Sequence, residues 1–449
     1  MSYAIQRKEG LEQNKLYSED TAIHDWYRFV LSYPPHLVRD YIEKFGLNST
    51  HKILDPFCGT GTTLVESKKL GIPSVGTEAN LVVQMAASAK VNWDVNVSAL
   101  LDHSHQVANK TKEKLLQYGN DLKTLSEDRE KLIIKNSISP IPAHKVLVLL
   151  EVLGEMREDH FFDIQRTALA KQIVFSFSNL RFGPEVGISR HKKFDMDVIE
   201  LWLDQIKKMA DDLKRFSFRK DVESKVFLGD ARSIGNFLEN HSIDAVITSP
   251  PYPNEKDYTR TTRLESVLLD FIVTKSDLRG NKERLLRSNT RNIYKSDDDE
   301  KWIQNNKRII DLANSIEAKR IELEKTSGFE KLYHKVVKSY FGGMAKHLND
   351  LKPILKPNAK LAYVVGDQAS YFRIPIRTGE ILADIAVDLG YELINIDLFR
   401  TRIATATKEQ LREEVVLLKW RPTVCRNEEI QNRSIRLSEV LGLVQGKIC

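Results

Sequence analysis

Leu54-Asp-Pro-Phe-Cys-Gly-Thr-Gly-Thr-Thr63 is the stretch that decides the fold of this chain. The run Lys52-Ile-Leu54 leads into it as a strand, and a helix is predicted to leave it over Thr62–Leu70, stopping at Gly71. Gly59 and Gly61 carry no Cβ, so the backbone can pass close to a ligand there. The amides that open the next helix can receive a carboxylate. A second strand, Ser74–Thr77, ends at the acidic Glu78. A lone Gly-x-Gly is a weak signal, but an acid at the next strand tip can accept both hydroxyls of a ribose, and the pair reads as a nucleoside site. Position 64 is Leu where a dinucleotide fold wants a third glycine, and the turn lacks the Lys of a phosphate-cradling loop.

Outward from this unit, strands are predicted at Lys225–Leu228, Asp244–Thr248, Lys360–Gly366, Tyr391–Ile396 and Glu414–Lys419. Helices are predicted up to Gly46 and over Ile381–Leu389. The fold class is therefore α/β: an open, mostly parallel sheet of six or seven strands with helices on both faces. No long helix separates the last two strands, which suggests an antiparallel pair at one edge. Two long charged stretches interrupt the pattern and read as helical, one from about 95 to 222 (including Lys110–Lys131 and Val198–Phe216) and one from about 275 to 350.

The run Asp244-Ala-Val-Ile247 ends in Thr248-Ser-Pro-Pro-Tyr252. The Ser249 hydroxyl and the Pro250 carbonyl can accept the two hydrogens of an exocyclic base amine, freeing a lone pair otherwise delocalised into the ring. Two prolines hold that carbonyl in place, and Tyr252 can stack on the base. A base in a duplex cannot reach such a pocket without being flipped out. Asp55 would face a ligand's ammonium, and Asp230, at the third strand tip, is placed for an adenine amine. Together these features read as methyl transfer to the amine of a nucleic-acid base.

The two motifs resemble those of the amino-methylating DNA methyltransferases, the N4-cytosine/N6-adenine family of restriction-modification systems, in their Ser-Pro-Pro-Tyr form. His24-x-Trp26-Tyr-Arg-Phe-Val-Leu-Ser-Tyr33-Pro-Pro resembles the family's N-terminal motif that closes over the methionine part of S-adenosylmethionine. Tyr252-Pro-Asn254-Glu-Lys-Asp257-Tyr258-Thr-Arg260 resembles the extension that follows the tip in one branch. The resemblance covers roughly 20–95, 225–270 and 335–420. It implies S-adenosylmethionine as donor and the S-adenosylmethionine-dependent, Rossmann-like fold. It also implies Tyr33, Pro34, Asp55, Pro56, Phe57, Gly59, Thr60, Gly61, Thr62, Glu78 and Asp230 as cofactor residues. Ser249, Pro250, Pro251 and Tyr252 are then catalytic. Ser at 249 favours cytosine N4 over adenine N6. The implied partners are double-stranded DNA and a cognate restriction endonuclease, in a prokaryotic cytoplasm. An RNA-base or guanine-N2 methyltransferase and a non-catalytic DNA-binding protein on the same fold are the rival readings.

On this reading the segments are 1–95 (N-terminal motif and first part of the catalytic domain), 96–222 (helical insertion, candidate for target recognition), 223–270 (catalytic domain with the tip), 271–345 (basic helical insertion), 346–420 (catalytic domain completed) and 421–449 (tail). Lys275–Lys295 holds seven basic residues against two acidic, so a phosphate-contacting role competes with a solvated helix face. Asn254, Arg260, Arg284, Arg287 and Arg291 are the DNA-contact candidates, with Arg400 and Arg402 weaker. In the first insertion Arg181-Phe-Gly-Pro184 and Arg190-His-Lys-Lys193 are the basic rivals. A net charge of +6 over 449 residues suits a polyanion without requiring one. Cys58, Cys425 and Cys449 show no metal-ligand or disulfide spacing, which favours a reducing compartment. No apolar run is long enough for a membrane span, and the N-terminus has no signal-peptide core.

Overall fold

The structure is a computed structural model that describes residues 14–28, 32–183, 185–254, 256–403 and 410–422. One seven-stranded sheet runs through it: β1 (Ile53–Asp55), β2 (Ser74–Glu78), β3 (Ser224–Leu228), β4 (Ile243–Thr248), β5 (Leu355–Gly366), β6 (Glu392–Ile403) and β7 (Gln410–Lys419). Their order is β3-β2-β1-β4-β5-β7-β6. β3, β2, β1, β4 and β5 pair in parallel. β7 lies antiparallel to both β5 and β6. The expected antiparallel pair thus closes one edge, with the last strand slotted inside and β6 outermost. β6 is twice the apolar run that signals it, because pairing with β7 continues to Ile403↔Gln410, beyond the apolar residues.

Successive strand residues face opposite sides of a sheet, and both sides are filled. Ile53, Ala245, Ile247, Ala362 and Val364 pack on α1 (Pro35–Phe45), through Leu37, Val38, Tyr41, Ile42 and Phe45. Pro35 starts that helix at its first turn and Gly46, at φ 68°, ends it. On the other side Leu54, Val75, Val246 and Leu361 meet helices of the C-terminal half. α2 (Thr62–Lys69) and α3 (Leu81–Val91) complete the first β-α-β unit.

The first insertion folds as α4 (Val97–Tyr118), α5 (Pro140–Glu155), α6 (Asp159–Gln172) and α7 (Val198–Phe216). The helix expected over Lys110–Lys131 breaks off at Gly119, whose φ of 57° suits glycine, and only Glu127–Glu130 is helical beyond it. α6 runs into a π-helical turn, Ile173–Phe177, and then a small antiparallel ribbon, Leu180–Arg181 with Gly187–Ile188. The ribbon has no signal in the sequence pattern. The second insertion holds α8 (Lys275–Glu283), α9 (Lys307–Glu322) and α10 (Tyr333–Leu351), and α11 (Thr378–Asp388) precedes β6. Among the described residues no helix is long and apolar enough to cross a membrane.

The order reverses between β1 and β4: the chain moves outward through β2 and β3 on one side and through β5 on the other. In open α/β sheets the crevice outside the carboxyl ends of two such strands is where ligands bind. The two motifs sit at those ends.

Candidate active site

The Gly-rich turn leaves β1 at Asp55 and folds back on β2, with Cys58 N donating to Thr77 O at 3.1 Å. This contact requires Gly76, where a Cβ would lie 2.9 Å from Cys58 Cβ. Gly59 and Gly61 adopt φ of 51° and 83°. Glu78, at the tip of β2, accepts Gly59 N at 3.0 Å and Asn80 N at 2.8 Å, one on each carboxylate oxygen. Each oxygen therefore keeps acceptor capacity. Burial pushes the Glu78 carboxyl up to about 7, against the amides that favour its anion.

The turn and the Ser-Pro-Pro-Tyr tip are bonded together. Thr248 Oγ1 donates to Asp55 Oδ1 at 2.6 Å, and Thr63 Oγ1 donates to Ile247 O at 3.0 Å. Tyr33 OH donates to Asp55 Oδ2 at 3.1 Å. Past this tie, Ser249 Oγ donates to Val364 O at 3.2 Å, which turns its lone pairs away from β5. The Tyr252 ring lies against Gly366, where a Cβ would come within 2.9 Å of it. Opposite Gly366 in the ladder stands Glu413, held by Arg400 through two bonds of 2.6 and 3.0 Å.

One cavity of about 500 Å³ takes in both loop ends. Its size suits a cofactor together with a substrate group. Ser249, Pro250, Pro251 and Tyr252 line it, as do Tyr33, Pro56, Phe57, Gly59, Thr60, Thr62 and Glu78. Four expected cofactor residues stand off its wall. Asp55 is fully buried behind it, its oxygens taken by Thr248, Tyr33 and the Phe57 amide, and burial raises its carboxyl to about 6. Gly61 opens α2 and packs towards Ala87. Pro34 lines a small recess beside the cavity. Asp230, expected to face an adenine amine, is forked onto Arg232 at 2.7–3.1 Å and stands off the lining, although Gly229 and Ala231 on either side line the wall. Cys58 lines the cavity as a buried thiol whose pKa is raised by burial, a poor nucleophile.

The N-terminal segment is pinned in place by buried polar contacts. Trp26 Nε1 donates to Asp212 at 2.8 Å and Tyr27 OH to Glu265 at 2.6 Å, while His24 Nε2 meets Glu66 at 2.7 Å. Lys90 Nζ, fully buried, donates to His24 O and Tyr27 O. Ser32 and Tyr33 thereby reach the cavity.

The N6/N4 DNA methylase family is matched over residues 5–87, the segment holding the N-terminal motif, the Gly-rich turn and Glu78. Over 435 residues the chain is 25% identical to the Type II methyltransferase M.BsoBI of Geobacillus stearothermophilus, covering 87% of this chain and 83% of that one. It is 24% identical to the Type II methyltransferase M.AvaI of Nostoc sp., covering 83% and 79%. The chain is thus similar over most of its length to Type II methyltransferases, and its first 87 residues hold the segment that matches the N6/N4 DNA methylase family. A solved structure, TrmN from Thermus thermophilus, aligns with 86% of this chain and 48% of its own at 10% identity, but a TM-score of 0.25 is too slight to add to the assignment.

Part of the basic stretch is paired within the fold. Arg287 is buried, forked onto Asp297 at 2.8 and 3.0 Å, and donates to the carbonyls of Lys282, Glu283 and Leu285, so its guanidinium is engaged within the fold. Lys282 pairs with Asp257 at 3.1 Å and Arg279 with Glu283 at 2.8 Å. Arg291 lies over the Phe329 ring, and both it and Arg260 stand off the cavity. Of the DNA-contact candidates Asn254 and Arg284 line it, as do the weaker candidates Arg400 and Arg402. Arg284, with Leu285 and Leu286, makes the second insertion a wall of the cavity. Lys256, Tyr258, Gln368 and Glu413 also line it and were not singled out by sequence; the Asp257-Tyr258 pair just after the tip was the available signal. Pro184, Glu255, Cys425, Cys449 and most of the 421–449 tail lie outside the described residues.

Proposed function

We propose that the methyltransferase moves a methyl group from S-adenosylmethionine to the exocyclic amine of a base displaced from duplex DNA, with cytosine N4 preferred. The observation that carries this reading is the single cavity holding Ser249 and Pro250 at one end and Glu78 with the Gly-rich turn at the other. Glu78 supports the cofactor: its half-buried carboxylate accepts from backbone amides and is suited to two ribose hydroxyls. Phe57, Ala231 and Leu286 offer apolar wall for an adenine, and Tyr33, Gly59, Thr60 and Thr62 surround the place of the methionine part. When bound, the cofactor supplies an electrophilic methyl group on a sulfonium.

The chain's own work is at the amine. Ser249 Oγ, its proton turned to Val364 O, and the Pro250 carbonyl, with no N–H following it, accept the two amine hydrogens. That draws nitrogen towards a tetrahedral shape and aims its lone pair. Tyr252, wedged on Gly366, stacks on the ring. The preference for cytosine rests on Ser at 249. Methylated duplex from a reaction with purified protein, digested and analysed by mass spectrometry, should contain N4-methylcytosine. N6-methyladenine would overturn the choice of base alone, and C5-methylcytosine or no modified nucleoside the whole proposal.

A further inference from the structure

The rim of the first insertion carries a patch that neither the cavity nor the core uses. The ribbon Leu180–Arg181/Gly187–Ile188 and the loop after it expose Arg181, Arg190, His191 and Lys192. Arg181, Arg190 and Lys192 have no acidic partner within 4 Å among the described residues, whereas Arg279, Lys282 and Arg287 of the second insertion are each paired to a carboxylate. The patch's acids are Glu185, which is exposed, and Asp195, which is bridged to Lys145 at 2.6 Å. Two aromatic rings flank the cations: Phe194, 74% exposed, and Phe175, 46% exposed.

The root of this loop is hydrogen-bonded to Asn179. Asn179, 2% exposed, receives Ser189 N at 2.7 Å and Lys193 N at 2.8 Å, closing the loop at its root, and donates to Asn136 O and Ser139 Oγ at 3.1 Å. Lys193 Nζ bonds Phe175 O at 3.1 Å. Behind it, the π-helical turn Ile173–Phe177 packs on the short helix Arg263–Leu268, which follows the catalytic tip. π-turns of this kind recur at functional sites.

Resting on the reading of duplex DNA as substrate, we infer that the Arg181–Phe194 rim is a docking surface for the DNA backbone beside the target base. Its free cations meet phosphates, and Phe194 enters a groove or stacks on the unpaired position. In the second insertion Arg279, Lys282 and Arg287 are spent on carboxylates, and Arg284, Leu285 and Leu286 serve the cofactor end. The test compares wild type with Arg181→Gln/Arg190→Gln/Lys192→Gln, all exposed positions, by titrating a mixed-sequence duplex at several salt concentrations. The variant should bind duplex more weakly, and the slope of log K against log salt should fall by about 2 to 3, at about 0.9 per lost phosphate contact. Cofactor affinity and melting temperature should stay at wild-type values. Phe194→Ala should weaken binding with the slope unchanged. An unaltered slope in the triple variant overturns the assignment, as would preference of this surface for RNA over duplex. A wild-type chain that binds no duplex overturns the broader reading and this one with it.

Discussion

In the proposed function Ser249 and Glu78 do different jobs with the same device, an acceptor fixed by backbone. At Ser249 the hydroxyl proton is committed to Val364 O, so the remaining lone pairs face the cavity. Ser249→Ala removes one of two amine acceptors. Turnover should fall by about a hundredfold or more, the scale of losing one preorganised polar partner, with cofactor affinity unchanged. Single-turnover kinetics beside calorimetry would check this, and equal turnover would remove Ser249 from the chemistry. Glu78 brings a pH effect. Its carboxyl stands near 7 and that of Asp55 near 6, against 4.5 and 3.8 ordinarily. Between about pH 4 and 7 the folded chain therefore holds protons that the unfolded chain has lost, so ligand-free stability should fall as pH rises through that window. Ribose hydroxyls favour the Glu78 anion, so cofactor binding should expel a proton and tighten as pH rises towards 7. Calorimetry at about pH 6.5 in buffers of different protonation enthalpy should show that release in wild type and not in Glu78→Gln. Proton uptake, or no exchange, would dismiss the ribose contact.

At the scale of elements, the seat of Tyr252 is made by β5 and β7 rather than by the tip itself. Gly366 ends β5, and in the register Gly366↔Glu413 the missing side chain leaves room for the ring. Gly366→Ala places a Cβ 2.9 Å from Tyr252 Cε2 and 3.4 Å from Glu413 Cγ. The ring must shift, at about 1–3 kcal/mol of overpacking. Turnover should drop more than cofactor affinity, while circular dichroism stays native. If turnover is untouched, the ring does not depend on this seat. The strands themselves were readable because β1, β4 and the second half of β5, residues 361–365, are nearly continuous apolar runs, as buried parallel strands are. The seat was not readable. It joins residues from 252, 366 and 413, and no pattern along the chain relates them.

Across the whole molecule, the second insertion is latched to the sheet by one buried cation. Arg232, 6% exposed, lies between Asp230 at 2.7 Å and Asp299 at 2.5 Å and donates to Glu283 O at 3.0 Å, next to the cavity wall at Arg284–Leu286. Arg232→Met leaves Asp299 buried with only Lys346, at 3.6 Å, to offset it. Removing one member of such a buried pair costs about 3–5 kcal/mol, so the melting temperature should drop and cofactor affinity with it. A variant that melts like wild type would show that the latch carries no stability.

By itself the sequence determined the strand-turn-helix units, the mostly parallel sheet with an antiparallel pair at its edge, and which functional groups, those of Ser249, Pro250 and Glu78, stand at strand tips. These depend on local periodicity, on backbone freedom at glycine and proline, and on functional groups that a short stretch of chain carries with it. Tertiary structure alone decided that Asp230 and Arg287 are bound to partners within the fold, that Arg284–Leu286 walls the cavity, and which cations stay free on the rim. The charge of a residue is written in its side chain, but whether that charge is spent depends on what folding brings within a few ångströms of it.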